Sequence, residues 1–167
     1  MAAALLAHHL AEQGIDAHVH SAGTRPWQVG ATEHSVTVMN EHGLDISAHT
    51  NRELAVDDLA GADLVLGMTR DHIAIARRRS PEATDRTFLV GELGRLARAV
   101  GARTAAESAR DWIDRVAARR PPDRPFGRGI DEIDDPVGQG IETHRATAKR
   151  LDRELRTVAA LLGGRTL

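Results

Sequence analysis

Four carboxylates stand within six residues at Asp131-Glu132-Ile133-Asp134-Asp135-Pro136. Like charges this close raise one another's proton affinity, which would keep one of them ready as a general acid. Pro136 fixes the backbone and biases Asp135 toward an extended conformation. The same residues also suit an acidic helix N-terminus, because a long helical pattern follows and its dipole favours negative charge there. The absent residues are equally informative. The chain has 0 cysteines and 0 tyrosines, and aromatics make up 2% of it. No disulfide, thiolate metal site or cysteine nucleophile can come from these residues. Histidine is plentiful, with 9 copies. His18 and His20 lie two apart in an alternating stretch and share one side. His8 and His9 are adjacent on a helical pattern and diverge. No His-x-x-x-His spacing occurs, so solvated or core histidines are expected and no metal site.

Composition bounds the frame around these groups. The length of 167 residues suggests one domain, and 41% apolar and 28% charged residues are ordinary for a globular chain. The core must be built from Ala, Val, Leu and Ile. A net charge of -2 gives no global basic surface for nucleic acid. The clusters Arg77-Arg78-Arg79 and Arg119-Arg120 read as solvated basic helix ends. No apolar run approaches the roughly 18 residues of a membrane span. The start, Met1 to Ala7, mimics the apolar part of a signal peptide but lacks a positive region before it, so a cytoplasmic protein is expected.

The elements that must hold the chemistry follow from periodicity. A first helix carries Leu6, Leu10 and Gln13 on one face, with Gly14 as its cap. Ile15 to His20 alternates apolar and polar, as a half-buried strand does. Ser21 to Pro26 is a loop. Helices are expected over 32–41 and 56–60, and a doubly buried strand over 63–68. Thr69 caps a helix that runs to Arg79, where Ser80-Pro81 stops it. A short strand at 87–90 precedes helices over 92–100 and 105–119. Residues 120–127 form a loop. A last helix over 141–162 lines up Leu151, Leu155, Val158 and Leu162. Strands alternating with helices predict an α/β domain with a parallel sheet of three strands. The chain opens on a helix, whereas doubly wound domains begin with a strand.

Several tracts, in order, carry a resemblance. They are Ser21-Ala22-Gly23-Thr24 with Trp27 and Val29-Gly30, then His42-Gly43-Leu44-Asp45 with Ser47, His49 and Arg52. Ala62 to Met68 and Asp134-Asp135-Pro136-Val137-Gly138 complete the set. The sequence resembles the low molecular weight protein tyrosine phosphatase family, in its bacterial branch, over nearly the whole chain. Residues of about 101–126 read as an insertion within a single domain.

The resemblance implies a three-layer α/β sandwich of the phosphotyrosine protein phosphatase I type, with a small parallel sheet flanked by helices. It implies a covalent mechanism in which a cysteine of a Cys-x-x-x-x-x-Arg loop attacks phosphorus at a helix N-terminus. Asp135 would protonate the leaving oxygen and then help water break the phosphocysteine. Trp27 and Val137 would line the substrate cleft. Ser21 would brace the phosphate loop and His49 would hydrogen-bond to it. No cofactor is implied. The partners would be a phosphorylated protein or a small phosphomonoester, without nucleic acid or membrane, and a homodimer is a candidate assembly.

The departures from the family qualify this. Met1 aligns just after the family's phosphate loop, so the first central strand and that loop, about 15–20 residues, are missing from this sequence. Either the start is assigned too late, which is the preferred reading, or the product lacks its catalytic loop and acts as a phosphatase-like binding protein. As written, the chain is expected to be inactive. It is also expected to be prone to aggregate, because neighbouring strands lose a partner. Val137 stands where the family usually has an aromatic residue, and Thr69 where it has aspartate.

Overall fold

The computed structural model describes residues 1–24, 30–123 and 126–166. Seven helices and two strands are formed among them: α1 (Ala2–Glu12), α2 (Glu33–Glu41), α3 (Val56–Ala60), β1 (Val65–Gly67), α4 (Arg70–Arg79), β2 (Thr87–Leu89), α5 (Val90–Val100), α6 (Ala109–Ala117) and α7 (Ile141–Leu162). Side-chain caps set several of the starts. Thr32 Oγ1 accepts the Ser35 N–H at 3.2 Å and opens α2. Thr69 and His72 cap reciprocally at α4, as do Ser108 and Asp111 at α6. Ser80 ends α4, and Pro81 starts the 3-10 turn that follows.

The strands pair in parallel, with Val65, Leu66 and Gly67 opposite Thr87, Phe88 and Leu89. Successive side chains on a strand point to opposite faces, and the packing follows that rule. Val65 packs on a small cluster of Leu59, Ala76 and Ala83, contributed by α3, α4 and the following turn. Leu66 packs on the other side, against the clusters built by α1, α5 and α7. Helices therefore cover both faces of a small parallel sheet, giving the expected three layers. The long helix α7 buries Leu151, Leu155, Val158 and Leu162 as one stripe and packs against α1, α2 and α5.

The third expected strand is not formed. Residues 15–20 have no strand pairing, although Ile15 and Val19 still rest on the main core. Asp16, Ala17, His18 and His20 are exposed. Alternation alone does not make a strand, because the backbone N–H and C=O groups need a neighbouring strand. Among the described residues no strand pairs with this stretch.

The basic clusters are solvated helix ends only in part: Arg78 and Arg119 are exposed, while Arg79 and Arg120 are engaged by the fold. The Arg120 guanidinium binds the carboxylate of buried Glu92 at 2.9 Å, donates to the Thr87 carbonyl and lies 4.4 Å over the Phe88 ring. Arg79 donates to the Leu54 carbonyl at 2.7 Å. The segment expected to be an insertion is part of the core. Trp112 of α6 is fully buried beside Leu10, Phe88 and Val158, and its indole N–H donates to the Gly101 carbonyl at 2.9 Å.

Candidate active site

β1 delivers the chain to Met68 and Thr69, where parallel α/β sheets place their ligand sites. The acidic tract lies across this end. Ile133 donates its backbone N–H to the Met68 carbonyl at 2.8 Å. Glu132 Oε1 accepts the Arg70 N–H at 2.8 Å, and the Arg70 side chain lies 3.4 Å from the same oxygen. Ile133 is buried with Leu5, Met39, Val90, Leu151 and Leu155, and Met1, Ala2 and Met68 pack on the same cluster. The start of α1, the end of β1 and the acidic tract thus share one apolar floor.

The four carboxylates do not act as a single repelling group. Burial works against ionisation of Asp131, but hydrogen bonds from Arg95 and Arg128 outweigh it and hold its carboxyl at about 2. The Glu132 carboxyl is lowered, first by the backbone N–H of Arg70 and further by its guanidinium. The expected mutual increase in proton affinity is overturned for these two, because arginines supplied by the fold neutralise them. Asp134 and Asp135 are exposed.

Local turn chemistry presents Asp135. Its Oδ1 accepts the Val137 N–H at 3.0 Å, and the Pro136 carbonyl accepts the Gln139 N–H at 2.9 Å. Gly138 has φ +81, the sign a type II turn needs at that position and one that favours glycine. Pro136 is buried while Asp135 and Val137 face solvent, so the proline anchors a loop whose carboxylate is exposed.

The supporting residues sit on nearby segments. Gly23 donates to the Arg52 carbonyl at 2.7 Å and accepts from Leu54 at 2.8 Å, which ties the Ser21–Thr24 stretch to residues 52–54. A Cβ on Gly23 would stand 2.7 Å from the Asn51 side chain, so glycine permits this approach. Gly30 bridges Thr50. The pairing brings the Ser21 and His49 segments together, and both side chains are exposed. Trp27 lies outside the described residues.

Residues 1–102 match the sequence model of the low molecular weight phosphotyrosine protein phosphatases. The chain belongs to this family. A curated relative in Erwinia amylovora, AmsI, described as a probable low molecular weight protein-tyrosine-phosphatase, is 31% identical over 74 residues. That match covers 44% of this chain and spans about half, 51%, of the relative. A low molecular weight protein tyrosine phosphatase from T. tengcongensis superposes with a TM-score of 0.67 at 26% identity, covering 94% of this chain and 86% of that one. The YwlE arginine phosphatase from Geobacillus stearothermophilus superposes with a TM-score of 0.62 at 27% identity, covering 95% and 80%. The matched family region ends at 102, before the Asp135 loop, so that loop rests on the geometry above. Relative to the family's chemistry, the chain has the scaffold and a candidate acid loop but 0 cysteines.

The sequence does not directly announce the cleft beside the Asp135 loop. Thr32, Glu33 and His34 at the start of α2 face Gly138, Gln139 and His144 across about 350 Å³. His144 is buried, its Nδ1 lies 3.1 Å from the Gly140 carbonyl, and its ring meets His34 edge-on at 5.3 Å. The signal was present: His144, Ala148, Leu151 and Leu155 repeat at helical spacing on one face of α7.

Proposed function

We propose that this phosphatase scaffold serves phosphomonoester hydrolysis through a cysteinyl-phosphate intermediate, with Asp135 as general acid and base. The observation that carries the reading is the Ile133–Met68 bond, which pins the acid loop across the end of β1 beside the start of α1. Helix N-termini bind phosphate through their free N–H groups, so that end of α1 suits the phosphoryl group. In this reading a cysteine thiolate attacks phosphorus, the bond to the leaving oxygen breaks, and the Asp135 proton passes to that oxygen. The Asp135 carboxylate then takes a proton from water, whose oxygen attacks phosphorus and expels the thiolate.

Ser21 and His49 would brace the phosphate-binding loop, and Trp27 and Val137 would flank the leaving group. The substrate in this reading is a phosphotyrosine or a related phosphomonoester, on a protein or free; an aliphatic Val137 offers less stacking surface than an aromatic and weakens the preference for an aryl group. The nucleophile and its arginine are to be sought in a Cys-x-x-x-x-x-Arg segment encoded ahead of Met1. A chain made with that segment should hydrolyse an aryl phosphate, while residues 1–167 alone should not.

The count of 0 cysteines favours a second reading, a phosphatase-like protein that binds without turnover. Upstream DNA without an in-frame Cys-x-x-x-x-x-Arg codon run would establish that reading and remove the first.

A further inference from the structure

We propose that the C-terminal end of α1 carries a site for a divalent transition-metal ion of the Zn²⁺ class, held by His8, His9 and Glu12. Adjacent histidines diverge on a bare helix, but Glu12 lies one turn on from both and draws them to one spot. One donor atom from each residue lies within 4.8 Å of the others. His9 Nδ1 is 3.0 Å from Glu12 Oε2, and His8 Nε2 is 3.6 Å from Glu12 Oε1. Zinc bonds of about 2.0–2.2 Å in a tetrahedron place donor atoms about 3.4 Å apart, between those two values. His8 and Glu12 are largely exposed, so their side chains are free to close the remaining gap.

The second observation lies on another helix. His9 is only 2% exposed, and its Nε2 stands 2.9 Å from Asp152 Oδ1 on α7. A carboxylate on the outer nitrogen is the arrangement that fixes a ligating imidazole, choosing its tautomer and leaving the other nitrogen's lone pair for an ion. Arg156 holds Asp152 at 3.0 Å and keeps it in this outer role. The bound ion would replace the proton that His9 Nδ1 and Glu12 share. The Glu12 carboxyl is held below the usual range, first by its hydrogen bond with His9 and also by the charges of His8 and Arg156, which keeps it an anionic donor. Two imidazoles and one carboxylate suit Zn²⁺, Co²⁺ or Ni²⁺ rather than Mg²⁺ or Ca²⁺. The fourth position stays open to water. The site occupies the end of α1 away from the acid loop, so it is independent of the phosphatase reading.

The test is calorimetric titration of residues 1–167 with Zn²⁺, with Co²⁺ as a visible-absorption probe of coordination. One ion per chain and tetrahedral Co²⁺ bands are expected. Glu12→Gln and His8→Ala, both at exposed positions, should abolish saturation while leaving the circular dichroism spectrum unchanged. Asp152→Asn should weaken binding about 10- to 100-fold. A His18→Ala, His20→Ala pair, which removes the other two closely spaced histidines, should bind as the parent does. Absence of saturable uptake, binding that survives Glu12→Gln, or binding lost with His18 and His20 would overturn the proposal.

Discussion

Ile133 and Met68 are joined by a backbone hydrogen bond of 2.8 Å between an acidic loop and the end of a strand far from it in sequence. It makes the position of Asp135 a property of the sheet rather than of the loop alone. Buried Pro136 sets the last step of that placement.

In a chain extended to include the nucleophile, Asp135→Asn should lower kcat for a poor leaving group by about 10²–10⁴-fold, the usual contribution of a positioned acid. The effect should shrink for a leaving group that departs without protonation. A kcat equal to the parent's on both substrates would remove Asp135 from the mechanism.

Gly91 at the start of α5 touches the same loop. A Cβ there would stand 2.6 Å from the Asp131 carbonyl oxygen, a backbone atom. Gly91→Ala should cost about 1–3 kcal/mol, read as a lower urea midpoint, because either α5 or the loop has to shift. An unchanged midpoint would mean that the two backbones separate freely.

Acid should unlock the loop through Asp131. Its folded pKa of about 2 lies below the ordinary aspartate value of 3.8. Asp131 with Arg95 and Arg128 therefore stabilises the fold fully above about pH 5, and that stabilisation is lost as pH falls toward 2, by about 2 kcal/mol in all. Asp131→Asn should flatten this part of the stability-pH curve, measured by thermal unfolding at pH 4.5 and 2.5. An equally steep fall in the variant would assign the acid sensitivity to other carboxylates.

Arg120→Ala should destabilise by about 3–5 kcal/mol, because it leaves Glu92, 1% exposed, as an uncompensated buried charge. The Arg120→Ala, Glu92→Gln pair should recover part of that loss in chemical denaturation. No recovery would show that the arginine acts through its stacking on Phe88 and its bond to the Thr87 carbonyl rather than through Glu92.

Most of the helical frame was legible. Thr32 and Thr69 mark the starts of α2 and α4 by their side chains, and the Leu151–Leu162 stripe defines α7 by its period. These signals are local, and so they survive folding. Ile15–His20 read as a strand because alternation reports which faces are buried and not whether a partner strand exists. The acidic tract read as mutually repelling because Arg70, Arg95 and Arg128 reach it through the fold, and two of them are distant in sequence. Arg120 read as solvated for the same reason. The divergence of His8 and His9 ignored Glu12, one turn further along the same helix.

The burial of Trp112 gives the family match a different meaning. The matched region, residues 1–102, ends just after α5, yet Leu10, Phe88 and Leu93 inside it are covered by Trp112, Val116 and Val158 beyond it. The limit of that sequence match is therefore not a folding boundary. A fragment cut at 102 would expose the greater part of the main core to water. The helices beyond that limit are thus held in place by packing, where volume and apolarity matter more than the identity of each residue.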